Sequence, residues 1–171
     1  LDNYDFEYDK DKFDAVWRRV KNEPASAVYK NDKQKTTARD EAGRLRDFMD
    51  GEACDAQFYA ALSRMGQRSA PQLTQPLQHI SGDERTHLKK LRAYYFILTG
   101  ETYTPPCACP LAYSVPDALR QKYSGEGAAA KAYLEAASST AHEELSEVYR
   151  QLAADEARHR KIIGCLIENI L

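Results

Sequence analysis

The sequence predicts an all-α protein, an antiparallel four-helix bundle with one long crossover and an extra short helix at the N-terminus. Three observations lead there. The prolines stand at positions 24, 71, 76, 105, 106, 110 and 116 and only eight glycines interrupt the chain, so long uninterrupted stretches can be helical. Within those stretches apolar residues recur at helical spacing, as in Leu73, Leu77, Ile80, Leu88 and Leu91 or Leu145, Tyr149, Leu152 and Ile163. The pattern of the first two stretches also returns in the last two. At 171 residues there is room for one core, a length that buries roughly 70% of the unfolded surface.

Taken in order, Phe13, Val16, Trp17 and Val20 fall at i, i+3, i+4 and i+7, which predicts a short amphipathic helix within an extension over 1–35. Pro24 stops it. The bundle is expected over 36–171. Beyond the KNDKQK segment, Thr37 is placed to cap a first long helix of about 37–67, with Asp40 and Glu41 favouring its positive end. A second helix is expected over about 72–99 and stops at Gly100. Residues 100–116 carry four prolines and form the long connection. A third helix of about 117–138, a break at Ser138, Ser139 and Thr140, and a fourth helix of about 141–170 complete the bundle.

Composition narrows the class of function. Twenty-four basic against 26 acidic side chains leave a formal charge of −2, which argues against a nucleic-acid binder. The longest apolar runs, near Tyr94 to Leu98 and Ile162 to Ile167, are far too short for a membrane span. No signal peptide is visible in the acidic N-terminus, although the chain opens on Leu rather than Met. Cys54, Cys107, Cys109 and Cys165 make no disulfide framework and no pair of zinc knuckles by spacing. A soluble protein of the reducing cytoplasm is expected.

The chemistry-bearing residues lie in the repeat. Glu84 and His87 share one face of the second helix, and Glu156 and His159 share one face of the fourth. Each Glu-x-x-His motif interrupts an inward apolar stripe, with apolar residues at matching offsets on both helices. On the first and third helices, Gly51-Glu52 is followed by Ala56, Tyr59 and Leu62, and Gly125-Glu126 by Ala130, Tyr133 and Ala136 at the same offsets. Each half therefore reads as one helix pair carrying Glu, then Glu-x-x-His. A single such motif on a surface helix is ordinarily a solvated ion pair. Two in register, with two matching glutamates upstream, predict four carboxylates and two imidazoles at one point in the core. Burying them unpaired costs several kcal/mol on the order of magnitude, and two divalent cations neutralise the four carboxylates. This ligand set suits iron or manganese with open positions, whereas closed zinc sites recruit thiolate; the arrangement matches the known dimetal carboxylate bundles.

The order Glu52, Glu84-x-x-His87, Glu126, Glu156-x-x-His159 resembles the ferritin-like superfamily. The segments GEACDAQFYAAL, DERTHLKKLRAYYFILTGE and DEARH resemble its rubrerythrin-like branch, over about residues 40–170. The resemblance implies a centre of two iron ions, or alternatively two manganese ions, that reduces hydrogen peroxide or dioxygen. Rubrerythrins usually carry a rubredoxin module, but this chain ends twelve residues after His159. An external electron donor such as rubredoxin is then expected. Ala129 stands where rubrerythrins place a further glutamate, which brings a six-ligand site like that of bacterioferritins or manganese catalases equally into view. A bacterioferritin-type cage is not expected, because it needs a fifth short helix. A dimanganese catalase and a non-enzymatic iron-binding module stand as the alternatives, with no nucleic acid or membrane as partner and a homodimer as the expected assembly.

Four neighbours enter the expected site with two readings each. Asp83 and Asp155 either accept the free imidazole N–H of the histidine on the neighbouring helix or are solvated helix acids. Tyr59 and Tyr133 either reach a ligand carboxylate, since helical side chains lean toward the N-terminus, or are simple core tyrosines. Cys54 and Cys165 turn away from the metal face and read as packing residues. Cys107 and Cys109 lie in the crossover, and His79 and His142 lack a partner at ligand spacing.

Overall fold

A computed structural model describes residues 32–106 and 114–170, with side chains from residue 40 onward apart from 68 and 69. The chain divides into two compact units, Leu1–Arg39 and Asp40–Leu171, and the second holds the site. The expected N-terminal helix around Trp17 and the cysteines at 107 and 109 lie outside the described residues.

Among the described residues the regular elements are four long helices and one short 3-10 turn, with no strand: α1 Asp32–Ser69, the turn Pro71–Leu73, α2 Thr74–Thr99, α3 Val115–Ser139 and α4 Glu143–Glu168. The start of α1 departs from expectation. Thr37 lies inside the helix rather than capping it, because the polar KNDKQK stretch contains no Gly or Pro after Pro24 to stop helical propagation backward. The other ends fall within about two residues of expectation. Gly100 closes α2 with φ of 73°, a left-handed conformation that glycine adopts without strain, and its N–H bonds Phe96 O. Ser114 opens α3 by accepting the Asp117 N–H, with Pro116 in the first turn, where its missing donor costs nothing.

Within each half the helices run antiparallel and are pinned at the same register by one serine. Ser63, eleven residues after Glu52, donates to Thr74 O at 3.2 Å, ten residues before Glu84. Ser146, ten residues before Glu156, donates to Ala137 O at 2.6 Å, eleven residues after Glu126. The same cross-link is thus made in both halves with donor and acceptor helices exchanged.

The core is two apolar clusters. One gathers Leu45, Met49, Leu91, Tyr95, Tyr133 and Tyr149, among others. The second gathers Tyr59, Leu62, Leu77, Ile80, Leu119 and Ile163, among others. On every helix the residues of one cluster precede the glutamate of the sequence repeat and those of the other follow it, so the glutamates and histidines form a polar layer between two dry ends.

Candidate metal centre

All six of the residues expected to meet do so in this layer, and all are buried: Glu52, Glu84, His87, Glu126, Glu156 and His159. Two groups of side chains each bring their ligand atoms within 4.8 Å of one another, Glu52, Glu84, His87 and Glu156 in one and Glu84, Glu126, Glu156 and His159 in the other. Glu84 and Glu156 belong to both. They come from the two motif helices and lie between the two histidines, whose rings are 5.8 Å apart and nearly parallel.

The imidazoles are oriented from outside. His87 Nε2 lies 3.2 Å from Asp155 Oδ2, and His159 Nε2 lies 3.1 Å from Asp83 Oδ2. Each motif helix therefore supplies the carboxylate that holds the other helix's histidine, because α2 and α4 run antiparallel with 83 opposite 159 and 87 opposite 155. Donation from Nε2–H leaves Nδ1 to face inward. His87 Nδ1 is 2.9 Å from Glu84 Oε2, 3.1 Å from Glu156 Oε1 and 3.3 Å from Glu52 Oε2. His159 Nδ1 is 3.1 Å from Glu84 Oε1 and 3.3 Å from Glu156 Oε2.

The tyrosines cross the bundle. Tyr59 donates to Glu126 Oε1 and Tyr133 to Glu52 Oε1, so each phenol reaches the glutamate of the opposite helix rather than its own. Antiparallel α1 and α3 produce this exchange, since position 52 faces 133 and 59 faces 126. Burial, and then the carboxylate it faces, pushes each phenol above its ordinary range and keeps it protonated.

The electrostatics are those of a crowded anionic pocket. Burial first, and then Glu84, raise the Glu52 carboxyl to about 7, against the pull of the facing His87 imidazole. Burial likewise raises Glu126. For Glu156, burial works against ionisation, but the facing imidazoles of His159 and His87 prevail and lower it. Burial opposes charge on His87, yet Glu156, Glu52 and Glu84 together push it up to about 12, and His159 is raised in the same way by Glu126, Glu156 and Glu84.

Protons do not fully satisfy the pocket. Both carboxylate oxygens of Glu84, Glu126 Oε2, Glu156 Oε1 and His87 Nδ1 are buried and make no aligned hydrogen bond, although imidazole and carboxylate face one another at 2.9 to 3.8 Å. Native proteins leave few such atoms, and here five converge on one small space. Lone pairs aimed inward from carboxylate and imidazole, with the outer nitrogens already held, are what a pair of hard to borderline cations requires. The residues fit two metal ions, with Glu84 and Glu156 able to bridge.

Two contacts beside the site were not foreseen from the sequence. Arg158 Nη2 reaches Asp83 at 3.2 Å and Asp155 at 2.7 Å, tying together the two carboxylates that hold the histidines. Asp155 and Arg158 are three apart on one helix, a spacing that could have flagged half of this link; the other half needs the fold. Lys122 pairs with Asp55 and lies over the Phe58 and Tyr59 rings at 4.9 and 5.4 Å. His79 is exposed beside Asp83 and Arg158, lining a cavity of about 470 Å³ with Gln75, Pro76 and Ile162. His142 is exposed at the start of α4 and caps nothing with its side chain. Ala129 is half-buried beside the site, where it adds no ligand.

The cysteine expectation needs correction. Cys54 is disulfide-bonded, not a free packing residue, while Cys165 is free and exposed. Spacing placed Cys54 off the metal face but cannot reveal a partner distant in sequence. The argument for a reducing compartment rested on the absence of disulfides and loses that support. No described helix is long and apolar enough to cross a membrane.

Comparison with known proteins agrees with the fold. Residues 30–169 match the family described as ferritin-like domain. No curated protein matches the chain. Among solved structures the chain is similar to a hypothetical protein from Pyrococcus furiosus, with 21% identity, a TM-score of 0.63 and coverage of 72% of this chain and 85% of that one. That likeness concerns the fold. With the family match spanning most of its length and the bundle's buried carboxylate and histidine layer in place, the chain belongs to the ferritin-like domain family.

Proposed function

We propose that the protein is a non-haem di-iron oxidoreductase that reduces hydrogen peroxide or dioxygen with electrons from a separate donor, such as rubredoxin. The observation that carries this reading is the convergence of two buried groups, Glu52, Glu84, His87 and Glu156 with Glu84, Glu126, Glu156 and His159, each with its ligand atoms within 4.8 Å of one another and five of these atoms in no aligned hydrogen bond. A purely structural polar layer would pair these atoms in aligned hydrogen bonds.

Glu52 and His87 would hold one ion, Glu126 and His159 the other, and Glu84 and Glu156 both. Two iron ions bound there would supply electrons one at a time and a Lewis-acidic surface for a small oxidant. The chain's own groups prepare the rest. Asp155 and Asp83 keep each Nε2 protonated, so that Nδ1 is the free ligand atom. Tyr133 and Tyr59 hold a proton against one oxygen of Glu52 and of Glu126, fixing each carboxylate's rotation and turning its second oxygen toward the facing histidine. The two apolar clusters exclude water from both ends. Hydrogen peroxide needs two electrons and two protons to become two waters, and donors must be replenished from outside the bundle. Antiparallel pairs joined by a long crossover also suit a homodimer in which helix pairs could exchange.

The test is elemental analysis of protein purified without added metal, followed by stopped-flow mixing of the ferrous form with peroxide. Two iron ions per chain, rapid oxidation and sustained turnover only with a reduced donor are expected. Oxygen release from peroxide without a donor, with manganese bound, would instead identify a catalase. Bound metal that reacts with neither peroxide nor dioxygen would identify a binding module.

A further inference from the structure

Seven residues before each Glu-x-x-His motif stands a fully buried side chain, Leu77 on α2 and Tyr149 on α4. Eleven residues before the single glutamates stand Val115 on α3 and Glu41 on α1. Around Tyr59 these equivalent positions are aliphatic, Leu77 with Val115 packed against the same cluster. Around Tyr133 they are a phenol and a carboxylate, and Tyr149 Oη donates to Glu41 Oε1 at 2.7 Å. Both are buried, Glu41 at 3% exposure. Burying this pair is harder than burying two aliphatic side chains. Since the other end packs the same register with aliphatics, the bundle does not require it.

The surroundings of the pair suggest what it is for. The Tyr149 ring lies 6.0 Å from that of Tyr133, and Phe48 sits against both, 4.2 Å from Tyr133 and 5.5 Å from Tyr149. Tyr133 is bonded to Glu52, so a contiguous aromatic path leads from the metal layer to Tyr149. Beyond it, Arg44 Nη1 stands 3.7 Å from Glu41 Oε2 and is one-third exposed, which gives Glu41 a contact toward solvent. At the other end Lys122 lies over the Tyr59 ring, and a fixed cation there opposes removal of an electron.

We propose that Tyr149 is a reversible one-electron donor to the metal centre, with Tyr133 as the connecting ring and Glu41 as the acceptor of its proton. The proposal rests on the di-iron reading only for the identity of the oxidant. In the step, Tyr149 loses one electron through Tyr133 to the oxidised centre, and its phenolic proton moves to Glu41 Oε1, leaving a neutral phenoxyl. Tyr133 ends as it began. One electron from an outside one-electron donor, with the proton returned by Glu41, restores the phenol. Of the two electrons a peroxide consumes, Tyr149 supplies one when the centre is short of it.

The experiment places 3,5-difluorotyrosine at position 149, because fluorine splits the electron paramagnetic resonance of this phenoxyl alone among the chain's 11 tyrosines. Metal-free protein is photo-oxidised with ruthenium tris(bipyridine) and persulfate and frozen. A fluorine-split radical is expected, with a yield cut by about tenfold in Glu41→Gln, which keeps the shape but cannot take the proton. An unsplit spectrum, or full yield in Glu41→Gln, overturns the proposal whatever metal the protein binds. The labelled protein loaded with one ferrous ion per chain, which can give only one of the two electrons, is then mixed with peroxide. The split signal is expected again, about tenfold weaker in Tyr133→Phe. Iron oxidation without a split signal overturns the coupling to the centre. If peroxide leaves the iron untouched, the proposed function fails instead, and the metal-free arm decides the role of Tyr149.

Discussion

The two ends of the bundle are built from the same repeat, but they surround the glutamate and histidine layer differently. At the Tyr59 end the neighbours are Leu62, Leu73, Leu77, Ile80, Leu119 and Ile163, with Lys122 and Asp55 paired at the edge. At the Tyr133 end Phe48 takes the position equivalent to Lys122, four residues before the glutamate, and stacks on Tyr133. Tyr149 replaces Leu77, Glu41 replaces Val115, and Tyr95 receives a hydrogen bond of 2.8 Å from Arg46 Nε. The arrangement of glutamates and histidines is thus common to both halves, while polarity and aromatic contact belong to one. A duplicated scaffold can keep six ligands symmetric and still give each half its own electrostatic surroundings, because residues one or two turns away tune a buried group without touching its ligands.

The largest expected effect tests whether the two halves share one centre. Glu84→Ala or Glu156→Ala should remove both metal ions, measured by elemental analysis after dialysis, since each serves both groups of ligands. Glu52→Ala should leave one ion, on the Tyr59 side, and Glu126→Ala should leave one on the Tyr133 side. If Glu84→Ala kept a full ion, the layer would be two separate sites rather than one.

The next effect concerns charge. Folded metal-free protein holds the Glu52 proton up to about 7 rather than 4.5, so it binds more protons than the unfolded chain across that interval. Stability of the metal-free form should fall as pH rises from 4.5 to 7, by on the order of 3 kcal/mol from this group at 1.36 kcal/mol per unit. Protonated His87 acts in the same sense, its contribution complete below 6.5 and lost as pH rises toward about 12. Metal replaces these protons, so the gain in melting temperature on adding ferrous iron should grow with pH over the same range. Metal-free melts that rise from pH 4.5 to 7 would contradict the buried-carboxyl picture.

Outer-shell substitutions are smaller. Asp83→Asn and Asp155→Asn should each weaken metal binding by roughly 10–100-fold, the usual loss when a histidine's outer partner is changed. Asp83 holds His159 and Asp155 holds His87, so each variant should preferentially weaken one ion. Titration that reads the two ions separately would show it. Arg158→Leu, which frees both aspartates, should weaken both together.

Much of this was legible from residue spacing alone. The convergence of the six residues, their repeat and the four helices follow from Glu-x-x-His in register with an inward stripe, because helical periodicity is a local property. The exchange of partners was harder to see. That Tyr59 would bond Glu126 rather than a glutamate on its own helix depends on α1 and α3 being antiparallel neighbours, and no spacing within one helix encodes that. Glu41 looked like a favourable charge in a first helical turn. It lies instead well inside α1, buried against Tyr149, because the helix begins at Asp32. The disulfide at Cys54 was missed for the same reason as Arg158's bridge: both join residues that only tertiary structure brings together.

The smallest expected effect tests whether the polar pair could be exchanged for the aliphatic solution at the other end. Glu41→Val copies Val115 and strands the Tyr149 hydroxyl in a dry core, which should cost about 1–3 kcal/mol, the usual penalty for a buried polar group left unsatisfied. Tyr149→Phe alone leaves the Glu41 carboxylate buried, with Arg44 3.7 Å from its other oxygen. The double variant removes both polar groups, so its loss of stability should be well below the sum of the two single losses, a coupling of about 1 kcal/mol or more in a double-mutant cycle. Chemical denaturation of metal-free protein measures all four forms. Additive losses would mean that Tyr149 and Glu41 do not depend on each other, and the difference between the two ends would then be one of packing rather than of a linked phenol and base. Near-additive stability together with full phenoxyl yield in Glu41→Gln would remove the functional distinction between the ends altogether.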